Sequence, residues 1–152
     1  MPKIRLVQGV VETRVARPGM PIREALQICV NHGIPGIPFI DAHGDIMGRF
    51  SVRHTFRVSS LPDDVVNGAH LIGQEATHLE QPCDHFIEVF RQPIDSLILP
   101  KYAFLRSDAL VAKAMALMEK FNSSYLFVID DGRYKGVVTR LGLTRLLLEE
   151  IE

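Results

Sequence analysis

The chain has 152 residues, of which 17 are Lys or Arg and 18 are Asp or Glu, and 47% are hydrophobic. A formal net charge of −1 gives no bulk pull toward nucleic acid, and the ordinary apolar fraction excludes a disordered chain. Cys29 and Cys83, the two cysteines, cannot make a disulfide framework and fit a reducing compartment. The first residues lack the apolar run of a signal peptide, and no stretch reaches the length of a bilayer span. A cytoplasmic protein with no membrane partner is therefore expected, built as one domain or as two small units that share a core.

Taken in chain order, Val15 and Ala16 predict a short extended segment, and Pro18-Gly19-Met20-Pro21 a turn. Pro21 suits the first position of a helix, where a missing N–H costs nothing. Ile22, Ala25, Leu26, Cys29 and Val30 recur at helical spacing and predict one apolar stripe. Gly33 stops that helix. Ile37 to Ile40 and Ile46 to Phe50 read as strands joined by a turn at 41–45, and Val52 opens a second helix.

The same order of elements then returns. Residues 22–29 and 111–118 place apolar side chains at matching positions with an offset of 89, which also lays Phe39-Ile40-Asp41 on Val128-Ile129-Asp130. With one residue fewer in the turn, Gly48 meets Gly136 and Ser51 meets Thr139. Upstream, Val7, Val10 and Val11 correspond to Ile94, Leu97 and Ile98. In the second copy Ala103 to Leu105 is the leading strand and Asp108 a candidate N-cap. Leu110, Ala114, Leu117, Met118 and Phe121 form the stripe. Leu126 to Ile129 and Tyr134 to Val138 flank the turn at 130–133, and Leu143, Leu146, Leu147 and Ile151 belong to a closing helix. The expected architecture is α/β (α+β): two βαββα units, 7–59 and 94–152, with a helical insert at 60–93.

In that insert Pro62-Asp63-Asp64 starts a helix. Val65, Ala69, Ile72, Ala76 and Leu79 make a seam of small residues that needs a partner surface, either the body of the chain or a second copy. Phe86, Val89 and Phe90 anchor the next segment. His70, Glu75, His78, Glu80, Cys83, Asp84 and His85 invite a metal reading, but His70 and His78 are eight apart and not four. A polar solvent face is expected, with no metal. Cys29, on a helix stripe, reads as a small buried hydrophobe.

The repeated unit resembles the cystathionine beta-synthase (CBS) domain. The residues that carry this are Ile22 to Cys29, the run His32-Gly33-Ile34-Pro35-Gly36-Ile37-Pro38-Phe39-Ile40-Asp41, and Gly48 to Ser51. Tyr125 to Asp130 and Gly136-Val137-Val138-Thr139 play the same parts in the second copy. The resemblance implies two units packed about a pseudo-twofold axis, frequent homodimerisation, and a cleft that binds AMP, ADP, ATP or S-adenosylmethionine. It implies a sensor that regulates another protein and does no chemistry itself. No catalytic domain, P-loop or dinucleotide-type glycine run accompanies the unit in this sequence, so a separate regulated partner is expected, and no enzyme.

By the same resemblance the ligand positions are Gly36, Ile37, Ser51, His54, Tyr125, Leu126 and Thr139, and Arg53 and Arg140 beside the two hydroxyls are further candidates. The family's Ser/Thr-x-x-Asp run places a carboxylate on the ribose hydroxyls. Here Ser51-Val52-Arg53-His54 and Thr139-Arg140-Leu141-Gly142 keep both hydroxyls and neither acid. His54 can still make one hydrogen bond, and Arg53 and Arg140 can reach a phosphate or remain solvated. Ser51 and Thr139 either bind ligand or cap the helix that follows them. Ile37 and Leu126 fit the sheet core, while Tyr125 can stack on a base. A ligand-free scaffold for dimerisation or protein–protein contact is the alternative reading.

Overall fold

The computed structural model describes residues 4–59, 67–68 and 83–151. The first helix, α1, is Ile22–His32. Pro21 stands at its N-cap and not inside it, because a bridge to Pro93 holds Pro21 extended at ψ 145. Gly33 ends α1 in the left-handed region at φ 62, which a residue without Cβ adopts freely. Ile22, Ala25, Ile28 and Cys29 are buried, whereas Val30, expected on the stripe, is 73% exposed. At 3.6 residues per turn Val30 points about 140° away from Ala25, outside the buried arc.

Strands β1 (Gly36–Ile40) and β2 (Ile46–Ser51) form an antiparallel hairpin. The Asp41 carboxylate closes its turn by accepting the N–H groups of His43 and Asp45 at 2.9 and 3.0 Å. Helix α2 (Val52–Ser59) follows directly, and helix α3 is Cys83–Arg91. Phe56 of α2 meets Phe86 and Phe90 of α3 edge-on, at centroid distances of 6.5 and 6.2 Å. The expected helix start at Pro62, the seam from Val65 to Leu79, and His70, Glu75, His78 and Glu80 lie outside the described residues.

In the second repeat β3 (Phe104–Leu105) runs parallel to β4 (Tyr125–Asp130), which pairs antiparallel with β5 (Arg133–Thr139). Asp131 and Gly132 both have positive φ, 51 and 80, as a two-residue hairpin turn requires. Helices α4 (Val111–Lys120) and α5 (Arg140–Ile151) flank this sheet. Asp108 does not cap α4. Leu110 is held extended by a bridge to Arg5, so the helix starts at Val111, and the Asp108 carboxylate pairs with Arg106 at 3.5 Å. Val111, Ala114 and Met118 are buried, while Leu110 and Phe121, which flank the helix, and Ile151 at the end of α5 are exposed. The leading strand of the first repeat shrinks to one parallel bridge, Ala16 to Phe39.

The two repeats exchange their leading segments. Val11 trades reciprocal backbone bonds of 2.9 Å with Val137 of β5, and Leu99 trades bonds of 2.8 and 2.9 Å with Arg49 of β2. The equivalent partner of Val11 is thus Leu99, one residue beyond the Ile98 that sequence matching selects. A bulge falls at the same place in each hairpin, after Phe39 and after Val128. The exchange also mixes the cores. Leu6 packs with Leu105, Met118, Leu126 and Leu143, while Ile37 and Phe50 pack with Tyr125, Phe127 and Val137. The result is an α+β fold of two interdependent βαββα units.

Candidate functional site

Two adjoining cavities open where the repeats meet. The corner from β2 into α2 contributes Arg49, Ser51, Arg53, His54 and Arg57 to the first, of about 380 Å³. The second repeat contributes Asn122, Ser123, Ser124 and Tyr125, and Leu99 comes from the exchanged segment. Asn122 sits in the left-handed region at φ 49 and turns the chain from α4 toward β4, a conformation asparagine tolerates. Among the described residues that line this cavity, none carries a carboxylate.

The neighbouring cavity, of about 530 Å³, has aromatic walls: Tyr102, Phe104, Phe121, Tyr125 and Phe127. Arg49, Phe121, Ser123 and Tyr125 line both cavities and so join them. Arg49 donates from Nε to the Lys101 carbonyl at 2.9 Å and from Nη1 to Tyr125 Oη at 2.5 Å. Its guanidinium carbon also lies 5.8 Å from the Tyr125 ring centroid. Burial pushes the Tyr125 phenol above its ordinary pKa, with the Arg49 charge working the other way. A third cavity, at the hairpin tips, is lined by residues of both signs, including Asp45, Arg106 and Asp131.

Of the residues named from the sequence, Ser51, Arg53, His54 and Tyr125 meet at the cationic cavity. Ser51 Oγ accepts the His54 N–H at 3.2 Å, and Thr139 Oγ1 accepts the Gly142 N–H at 3.0 Å, so each hydroxyl caps the helix after it. Gly36 lies behind the Tyr125 hydroxyl; a Cβ there would come within 2.5 Å of Oη. Ile37 and Leu126 are fully buried, one in each core. Arg140 Nη2 turns to the Ser123 carbonyl at 3.3 Å and to Glu119 at 3.9 Å, and neither Arg140 nor Thr139 lines the cleft. Cys83, Asp84 and His85 fall in the first turn of α3. Burial pushes the Cys29 thiol up to about 12, as suits a packed side chain and not a nucleophile.

Sequence reasoning missed Arg49, Arg57 and the loop residues Asn122, Ser123 and Ser124. Arg57 had a signal, since it lies four residues from Arg53 on the same helix, whereas Arg49, on β2, had none. The loop had none, because nothing local marks which side of it faces the first repeat.

Exchanged βαββα repeats with a cleft between them define a tandem-repeat α+β module. Residues 94–149 match the family model of the CBS domain. The chain is similar in structure to the CBS domain of a CBS-domain-containing membrane protein from Sphaerobacter thermophilus, with 18% identity, a TM-score of 0.66, and 95% of this chain and 88% of that one covered. It is similar to CBSX2 in complex with AMP, with 18% identity, a TM-score of 0.67, and 98% and 99% covered. The CBS domain pair of protein MJ0100, in complex with 5′-methylthioadenosine and S-adenosyl-L-methionine, matches at 20% identity and a TM-score of 0.64, with 98% and 99% covered. Residues 94–149 thus match a CBS domain, and the chain as a whole has the fold seen in CBS-domain pairs. A curated relative, the A-adding tRNA nucleotidyltransferase of Aquifex aeolicus, is 24% identical over 131 residues, which is 86% of this chain; the chain spans 13% of that enzyme's length. Among the described residues no helix is long and apolar enough to cross a membrane.

Proposed function

We propose that this CBS pair is a binding and sensing module, not a catalyst, which takes an adenosine nucleotide in the joined cleft and regulates a separate protein. One observation carries the reading: an aromatic compartment and an arginine-lined compartment adjoin, share Arg49 and Tyr125, and draw on both repeats. The rings suit a purine, and Arg49 and Arg53 suit its phosphates. The cationic compartment also lies at the first turn of α2, where the helix dipole favours an anion. The fold neighbours solved with AMP, and with 5′-methylthioadenosine and S-adenosyl-L-methionine, support the ligand class. A ligand that touches both repeats favours the arrangement in which both sides of the cleft are in place, and that shift is what a partner would read.

The test is thermal unfolding with AMP, ADP, ATP and S-adenosylmethionine. At a concentration of 100 times Kd a binder adds about 2.7 kcal/mol to stability, which raises Tm by several degrees. No shift with any of the four at millimolar concentration overturns the reading. The scaffold alternative then stands, and one feature favours it: Leu141, Leu148 and Ile151 of α5 are 82%, 58% and 75% exposed, an apolar surface suited to a second copy of the chain. Light scattering separates the two states, and a dimer that Leu148→Glu reduces to a monomer supports that contact.

A further inference from the structure

We infer that the cleft selects its ligand by phosphate number and not by ribose, so that di- and triphosphates bind above monophosphates and 2′-deoxy forms bind as well as ribo forms. This rests on the nucleotide reading above and deepens it. Arg49, Arg53, His54 and Arg57 line one compartment, and none of the described residues around it is acidic. Arg49 spends two donors, on Lys101 and Tyr125, so three of the five on a guanidinium have no partner among the described residues. Those donors are fixed in place by the two bonds already made, so a phosphate oxygen meets them without ordering a free side chain. Each added phosphate brings a further charge within reach of Arg49 and Arg53, and no described residue lining the compartment opposes it with a carboxylate.

Among the described residues that line the two compartments, none offers the ribose a carboxylate. A bidentate hydrogen bond to a vicinal diol needs two acceptor oxygens on one group, which a carboxylate offers and an imidazole does not. The residues three positions past the two capping hydroxyls are His54 and Gly142. Loss of the 2′-hydroxyl therefore strands no carboxylate among the described lining residues, and a site discriminates strongly only when an absent group would leave a buried partner unpaired. The same charge works against S-adenosylmethionine, whose sulfonium would sit among arginines.

Calorimetry on the full chain at low salt, with ATP, 2′-deoxyATP, ADP, AMP, S-adenosylmethionine and inorganic tripolyphosphate, tests this. ATP binds about tenfold or more tighter than AMP, 2′-deoxyATP matches ATP within about twofold, and S-adenosylmethionine binds weakest. Arg53 is exposed, so Arg53→Gln leaves the fold intact and lowers ATP affinity about fivefold while moving AMP little. Equal affinities for AMP and ATP overturn phosphate selection, and a tenfold loss with the deoxy form overturns the indifference to ribose; either leaves the nucleotide reading standing. Binding of tripolyphosphate alone supports phosphate selection and overturns the adenosine reading. If none of the six binds, both fall.

Discussion

Gly48 and Gly136 sit where each hairpin touches the exchanged segment of the other repeat. A Cβ on Gly48 would lie 2.3 Å from the Leu99 carbonyl oxygen, and one on Gly136 would lie 2.4 Å from that of Val11. Both neighbours are backbone and cannot rotate away. Gly136→Ala should therefore cost about 1–3 kcal/mol, read as a lower midpoint in urea denaturation. Besides Tyr125, two groups raised by burial weaken the fold as pH rises into the alkaline range. The Cys29 thiol is pushed up from 9.0 to about 12 by burial, and the Tyr134 phenol from 10.0 to about 12, chiefly by burial and against its hydrogen bond with Thr13. Both stay protonated in the folded state while the unfolded chain loses its protons first. Their contribution is complete below pH 9 and is lost as pH rises from 9 toward 12. Urea midpoints across that range should fall, and Tyr134→Phe should flatten the part above pH 10.

At the scale of elements, α2 carries Arg53, His54 and Arg57 on its cleft side and holds to α3 through Phe56 against Phe86 and Phe90. Phe56→Ala should cost about 1–3 kcal/mol, less than a fully buried ring because Phe56 is half-buried. It should also weaken ligand binding at the cleft by loosening the helix that presents the arginines, measured by calorimetry on the variant. Helices and hairpins were legible where their causes are local: the Gly33 stop, the Asp131-Gly132 turn and the apolar recurrence in α1. The misplaced details had distant causes. Leu110 stays extended because Arg5 pairs with it, and Pro21 because Pro93 does. Of the site, the local run Ser51, Arg53 and His54 could be read directly. Leu99 and the loop after α4 join that run only through packing.

Across the whole molecule, neither repeat completes itself. Leu6, from the first residues, fills the core of the second repeat, and Leu99 bonds the edge of β2 in the first. Residues 1–82 and 83–152 made separately should each lack cooperative unfolding and dispersed NMR signals, and mixing them should restore both. A fragment that folds alone would contradict the interdependence of the halves. Sequence by itself determined the repeated order of elements, the hairpin turns and the Gly33 helix stop, since side-chain periodicity and φ preferences act over a few residues. Only the tertiary structure decided that the leading segments change places, that Arg49 locks onto Tyr125, and that arginines from one repeat face the loop of the other. Those contacts join residues tens of positions apart, and they form only once two half-cores pack into one.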